Sequence, residues 1–441
     1  ILNARIGLST YDIGHVFTRG CINSTGGIAA RSTVCGVSKG KGVTCFFRTD
    51  INYIAVSVMA HEIGHQFSCR HSWNSCPDFQ NQLSSESAYE PGSGSTIMSY
   101  AGSCSGNNIA SQSDDYYATR SLEEFITFSR EQEGNGCATQ VPTPNNPPSV
   151  SINYRTNMVI PMRTPFALNA QGNDPDGDAL TYCWEQFDLG QVSTLGSPQG
   201  SSPSFRSFPP NTSTSRTFPQ LSDVIGNMSR STEVLPTYSR QLNFRCTVRD
   251  NHPSGGAVAW ESVRLQATDQ AGPFLVMSPN AGTEVWKAGD DVAVTWDVAK
   301  TNLAPVNCRF VNIRLSVDGG FSFPFLLAEN ALNDGTERVT LPNMTSDNAR
   351  IKIEAVDNVF FDMSNQNFKI MSNPNATFAL GLSPYSLPLN CQPAVIEYKI
   401  TNAAFGGFNS AVKLDILPGG LPAGISATFS ANNLKGGESS T

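Results

Sequence analysis

Three of the chain's five histidines fall in the stretch His61-Glu62-Ile63-Gly64-His65-Gln66-Phe67-Ser68-Cys69-Arg70-His71. His61 and His65 are four residues apart, so on a helix they stand one turn apart on the same face. Two imidazoles placed that way can ligate one metal ion. Glu62 then projects beside the ion without binding it, where it can take a proton from a water on the metal. His71, six residues after His65, can join them only if the helix stops and the chain turns back. Three imidazoles leave Zn²⁺ an open fourth position, which a catalytic site needs and a closed structural site lacks. A surface helix with chance histidines is the competing reading, and it leaves the glutamate and the spacing unexplained.

The elements that position these groups are also written in the sequence. Asp50 or Asn52 can cap a helix start, and Val56, Ala60, Ile63 and Phe67 recur at i, i+4, i+7 and i+11 as an apolar stripe off the histidine face. Residue 68 must end the helix in a left-handed turn, which for a serine costs about 1 kcal/mol. Downstream, Ser95-Thr96-Ile97-Met98-Ser99-Tyr100 follows a polar, loop-like run from Ser72 to Gly94.

The pattern resembles the metzincin zinc peptidases, with signature H-E-x-x-H-x-x-G-x-x-H and a methionine turn, Ser68 standing where that family usually has glycine. The resemblance implies Zn²⁺ on His61, His65 and His71, Glu62 as general base, and Met98 as the hydrophobic floor under the metal. Tyr100 stands where astacin- and serralysin-like enzymes keep a tyrosine near the zinc. It is either an oxyanion stabiliser or a packing residue. Gly26 to Ala30, Val34-Cys35 and Gly42 to Thr44 together read as two short strands joined by a Gly/Lys loop, and their order before the helix looks reprolysin-like. By that resemblance Gly27, Ile28, Ala29 and Ala30 line the cleft and pair with an extended substrate; the alternative is an edge strand with no such task. With YEPGSGSTIMSYAG added, the chain resembles secreted bacterial reprolysin-like metallopeptidases with Ig-like repeats behind the catalytic domain.

The chain has 441 residues, a formal net charge of −8 and only 15% charged residues. With no basic cluster, the charge pattern points away from nucleic acid and anionic membranes as partners. No apolar run approaches the length of a membrane span. Eleven cysteines indicate an oxidising compartment, and seven of them precede residue 140, so one of those seven is free or its partner is absent. Cys69 reads more readily as a disulfide partner than as a ligand. Tyr11 to Phe17 alternates as a strand, and its His15 is more readily a satisfied, half-buried histidine than a fourth ligand. Asp114 to Arg130 reads as an amphipathic closing helix with Leu122, Phe125, Ile126 and Phe128 inward.

Val141 to Pro148 is a stiff, extended linker, and beyond it short β-runs alternate with turns as in β-sandwiches. Thr181 to Gln186 and Leu242 to Asp250 are the clearest strands of the first sandwich, with Cys183 and Cys246 a plausible disulfide near Trp184. Asp174, Asp176 and Asp178 lie in an acidic turn that could gather Ca²⁺, although such turns are usually only turns. The Ser/Pro stretch from Gly190 to Thr237 has no obvious place.

The fold class expected is therefore multidomain: an α+β metzincin-like catalytic domain over 1–139, incomplete at its amino end, a linker over 140–148, and all-β Ig-like sandwiches over 149–270, 271–372 and, in part, 373–441. The function expected is a secreted zinc endopeptidase acting on protein or peptide. The rival is a surface adhesin with an inactive peptidase domain, against which the intact Glu62 argues. Only three short strands precede His61 on this reading, fewer elements than metzincin-like domains have there. The helix stripe is thus expected to lack cover, and residues 1–441 alone to give folded sandwiches with a loose, zinc-poor amino-terminal region.

Overall fold

A computed structural model describes residues 2–19, 26–46, 50–155, 157–383, 395–417, 420–421 and 424–441. Cys21 and Cys391 lie outside the described residues. The amino-terminal region is built on a three-stranded sheet of β1 (Val16–Arg19), β2 (Gly27–Ala29) and β3 (Gly42–Phe46). Its order is β1-β3-β2, with β1 parallel and β2 antiparallel to β3. The strand expected from Tyr11 therefore starts only at Val16, and Val34-Cys35 lies in turns. This turn region is not idle. Ser32 donates its N–H to the His65 carbonyl, and Thr33 donates to that of Gln66, each at 3.0 Å. Those are carbonyls a helix end leaves without an internal partner.

The helix carrying the histidines begins where Asp50 Oδ1 accepts the N–H groups of Asn52 and Tyr53, at 3.0 and 3.2 Å. It runs as a π-helix over Tyr53–Ala60 and as an α-helix over His61–Gln66. The widened turns were invisible to a 3.6-residue stripe. π-segments of this kind are frequent at functional sites. Val56 and Ala60 nonetheless pack on Cys69, Ile97 and Met98 together with Tyr117 and Phe125, so the methionine turn and the closing helix cover the stripe expected to lie bare, and the loose, zinc-poor region expected on that ground gives way to a packed one. Phe67 stacks on Phe125 at 4.4 Å between ring centroids.

The closing helix spans Thr119–Glu131, five residues later than expected, because Ala118 is extended. Phe128 is its most buried aromatic residue and Phe125 packs on the methionine-turn cluster. Two disulfides, Cys35–Cys137 and Cys76–Cys104, fasten the region. Cys45 is also disulfide-bonded. Among the described early cysteines Cys69 is the free one and is fully buried, so it is not the disulfide partner expected.

Beyond residue 140 the described structure is almost wholly β. Met158–Pro161, Val258–Thr268, Arg240–Arg249 and Thr181–Gln186 form one four-stranded sheet in that order. Strands from Leu275–Ser278 to Phe368–Met371 form two more sheets, and Thr377–Ser383, Lys399–Phe405 and Ser439–Ser440 another. One contiguous cluster of buried residues runs from Met158 to Ile370, across the boundary expected near residue 270.

Three expectations change here. Cys183 and Cys246 are free rather than bonded. Cys246 lies opposite Trp184 and Cys183 opposite Thr247, a register offset of one, so their side chains leave opposite faces of the sheet. The linker is not a free spacer: Asn145 donates to Asp250 at 2.8 Å and Asn146 to Asp176 at 2.9 Å. The Ser/Pro stretch does have a place, against the amino-terminal region. Asn74 Oδ1 accepts from Ser193 N at 3.0 Å, and Asn107 Oδ1 accepts from Leu195 N at 3.1 Å.

Candidate active site

The turn that brings the third histidine back is a Schellman motif. Ser68 has φ +81°, and its N–H donates to the His65 carbonyl while that of Cys69 donates to the Gly64 carbonyl, both at 2.9 Å. The serine thus occupies the left-handed position where glycine would be unstrained, and its Oγ accepts a 3.0 Å hydrogen bond from Ser32 Oγ. Ser68→Gly relieves about 1 kcal/mol of backbone strain and loses a hydrogen bond of similar worth. It should leave the unfolding free energy within about 1 kcal/mol of wild type, as denaturant titration would show. A loss well beyond that would mean the serine has another task.

Each of the three imidazoles is aimed by a backbone carbonyl. His61 Nδ1 donates to Ile97 O at 2.8 Å, His65 Nδ1 to Cys69 O at 2.7 Å and His71 Nδ1 to Gln82 O at 2.8 Å. A carbonyl can only accept, so each Nδ1 carries the proton and each Nε2 presents a lone pair. One ligand atom from each of the three histidines lies within 4.8 Å of the others. The Nε2 atoms of His65 and His71 stand 3.1 Å apart. With both protons committed elsewhere, that approach is between two lone pairs, and a shared cation relieves it. Tetrahedral zinc with nitrogens at about 2.0–2.1 Å needs neighbouring nitrogens roughly 3.3 Å apart, close to what is seen. Burial holds all three imidazoles below their ordinary pKa, His65 at about 4, so they stay neutral as ligands must be. The donor set fits Zn²⁺.

Glu62 is buried beside them. The N–H of Ala29 is directed at its carboxylate, whereas Oε2 has no hydrogen-bond partner. Burial pushes its pKa up to about 8. Gly27 must be glycine for this arrangement, since a Cβ there would lie 2.6 Å from Glu62 Cγ. β2 is an edge strand of the described sheet, with Ile28 67% exposed. Ala30 N–H and Gly26 C=O bond inward to the β3 side, at 2.9 and 2.7 Å, so backbone groups of Gly27 and Ala29 face the open edge.

Met98 is fully buried directly beneath the helix: a Cβ on Gly64 would meet its Sδ at 2.6 Å. Gly64 thus lets the methionine turn close up under the helix that carries His61 and His65. A glycine inside a helix costs about 1 kcal/mol against alanine, and that anomaly was the available sequence signal. Gly64→Val should overpack this contact, lowering stability by about 1–3 kcal/mol and weakening metal binding together. Unfolding and zinc titration of the variant check it, and unchanged values for both would contradict the packing argument.

Tyr100 packs its ring 4.6 Å from that of His71, and its hydroxyl donates to the Gln82 side chain. Burial raises the phenol's pKa, so it remains a neutral donor. Gln82 therefore serves two partners, orienting His71 through its carbonyl and holding Tyr100 through its amide; nothing in the sequence pointed to it. Glu90 was also missed. Its buried carboxylate accepts from Ser72 Oγ at 2.5 Å, Thr96 Oγ1 at 2.6 Å and Ser95 N at 2.8 Å, tying the strand after His71 to the methionine turn. A lone acid in a run of Ser, Gly and Thr was the signal available.

His15 lies outside the cluster. Gln66 Nε2 donates to the carbonyls of Gly14 and Lys39, so its Oε1 accepts the His15 Nδ1–H at 2.8 Å, and His15 Nε2 accepts from Thr44 at 2.8 Å. The ring is satisfied and fastens helix to sheet. In the acidic turn, Asp174 Oδ1 accepts the N–H groups of Asp176 and Asp178 at 2.9 and 3.0 Å, and Asp176 holds Asn146. One oxygen from each of the three carboxylates lies within 4.8 Å of the others, a spacing that acidic turns commonly show without an ion, so calcium is not assigned there.

Residues 1–125 match the model of a family described as metallo-peptidase family M12B, reprolysin-like. No curated protein matches the sequence significantly. Solved structures with some likeness are all-β. The fibronectin(III)-like modules of Clostridium thermocellum CbhA share 7% identity and a TM-score of 0.17, over 50% of this chain and 95% of theirs. A Dpr2 Ig1–Ig2 structure, in complex with DIP-Theta, shares 14% identity and a TM-score of 0.22, over 52% and 100%. Drosophila N-cadherin EC1-4 shares 10% identity and a TM-score of 0.18, over 61% and 62%. Likeness at that level says nothing further about this chain. A metallopeptidase-like amino-terminal region is followed by β-rich domains. That family is zinc-dependent and acts on peptide bonds. Among the described residues no helix is long and apolar enough to cross a membrane.

Proposed function

We propose that this chain is a secreted zinc-dependent endopeptidase, with His61, His65 and His71 as the metal ligands and Glu62 as general base. The observation that carries the reading is the set of three Nδ1-tethered imidazoles whose ligand atoms lie within 4.8 Å of one another. When bound, Zn²⁺ would supply Lewis acidity, polarising the scissile carbonyl and acidifying the attacking water. Glu62 would take the proton from that water through its unpartnered Oε2 and pass it to the leaving amine. Its raised pKa suits that exchange, and a neighbouring cation would bring it back toward neutrality.

The open edge of β2 supports antiparallel docking of an extended peptide on Gly27 to Ala30. Met98 packs as the floor of the site, and Tyr100 is the candidate oxyanion donor, which would have to exchange Gln82 for substrate. The disulfides fit an extracellular protein. The domain division over 1–139, 149–270, 271–372 and 373–441 belongs to the same reading. Casein cleavage with and without a chelator tests it. Cleavage abolished by chelation and restored by zinc is expected; no cleavage by zinc-loaded protein would favour the adhesin alternative.

A further inference from the structure

The closing helix has no side-chain cap of its own. Its cap comes from the β-rich half of the chain. Glu185, on the strand Thr181–Gln186, is buried, and its Oε2 accepts the Thr119 N–H at 2.9 Å. Its Oε1 accepts from Ser207 Oγ at 3.1 Å, and that hydroxyl accepts in turn from Tyr116 at 2.7 Å. Two more contacts grip the same helix start: Thr247 Oγ1 donates to Thr119 Oγ1 at 2.9 Å and Arg249 donates to the Tyr117 carbonyl at 3.2 Å. A carboxylate at a helix N-terminus satisfies an orphan donor and matches the helix dipole.

What that helix touches makes the cap matter. Glu124, on its second turn, accepts the backbone N–H of Arg70 at 2.8 Å and the Arg70 guanidinium at 2.7 Å, directly before His71. The Ser121 carbonyl accepts from Cys69 Sγ at 3.4 Å, and Cys69 supplies the carbonyl that orients His65. Just ahead of the helix, Tyr117 donates its hydroxyl to the Ala60 carbonyl at 2.7 Å, one residue before His61. A residue adjoining each ligand, or orienting it, is thus held from this one helix or its start.

We propose that Glu185 of the first sandwich is a positioning residue for the metal centre, acting through the closing helix, so that this sandwich is a working part of the peptidase and not a tether behind it. The inference rests on the zinc-peptidase reading. It explains why the linker is pinned and why the Gly190 to Thr237 stretch packs on the amino-terminal region.

The test is zinc affinity, measured on the full chain by competition with a chromophoric chelator. Wild type should bind one zinc. Glu185→Ala should weaken binding by about 10-fold, the low end of what losing a group hydrogen-bonded directly to a ligand costs, because Glu185 acts through the helix. Glu185→Gln, whose amide oxygen can still accept from Thr119, should stay within a few-fold of wild type. Asp362→Asn, at a buried carboxylate accepting Val276 N at 2.7 Å in the second sandwich, controls for general destabilisation and should leave zinc affinity unchanged. If Glu185→Ala does not fold, Thr247→Val removes a second grip while keeping the side chain's shape, and a several-fold loss is expected. Wild-type affinity in Glu185→Ala, or in Thr247→Val if that variant must stand in, would overturn the proposal, as would an equal loss in Asp362→Asn. A wild-type chain that binds no zinc would overturn the peptidase reading itself and this inference with it.

Discussion

Glu62→Gln is expected to lower kcat/KM for a peptide substrate by about 10³-fold while zinc remains bound at one per chain. The substitution keeps the side chain's shape and leaves every imidazole and its carbonyl partner in place, so the ligand set should survive. Among the described residues it removes the carboxylate that stands beside the three histidines with an oxygen left unpartnered to accept a proton and release it again. A factor of 10³ corresponds to about 4 kcal/mol of transition-state stabilisation, within the range of one well-placed base. The amide can still accept the Ala29 N–H, so folding should change little. Zinc analysis and steady-state turnover on the same preparation give the answer. Retained zinc with near-normal turnover would remove Glu62 from the mechanism.

Zinc should also be a folding ligand. Two Nε2 lone pairs held 3.1 Å apart in buried surroundings repel until a cation lies between them. At a free zinc concentration about 1,000 times Kd, mass action adds roughly 4 kcal/mol to the stability of the region that binds it. Thermal unfolding followed during a zinc titration should therefore show the transition that includes the amino-terminal region moving up. His71→Ala should abolish that shift, since on the proposed reading His71 is the ligand delivered by the turn rather than by the helix. A zinc-dependent shift that persists in His71→Ala would place the metal elsewhere.

How much of this was legible in the sequence depends on which force made each feature. That His61, His65, His71, Glu62 and Met98 come together was readable because helix geometry fixes the spacing of the histidines and of the glutamate beside them. Ser68 was readable because a left-handed residue is required between His65 and His71. The π-segment over Tyr53–Ala60 was not, since no local propensity separates it from an α-helix. The expected Cys183–Cys246 bond failed on register, a property of strand pairing that composition does not carry. Gln82 reaches His71 across 11 residues, Glu90 reaches Ser72 across 18 and Glu185 reaches Thr119 across 66, and such contacts exist only once the fold brings the segments together. Glu185 was hidden most deeply, because it lies in a strand that reads as ordinary sandwich and works on a helix in another part of the chain.

The most direct test of the central claim is zinc-edge X-ray absorption on the purified, zinc-loaded full chain. Three imidazole nitrogens and one oxygen at about 2.0–2.1 Å are predicted, since Cys69 Sγ donates to the Ser121 carbonyl, away from the histidine nitrogens. In His71→Ala the same spectrum should lose one imidazole or the metal altogether. A sulfur scatterer at about 2.3 Å, or a first shell with fewer than three nitrogens in the wild-type chain, would contradict the account.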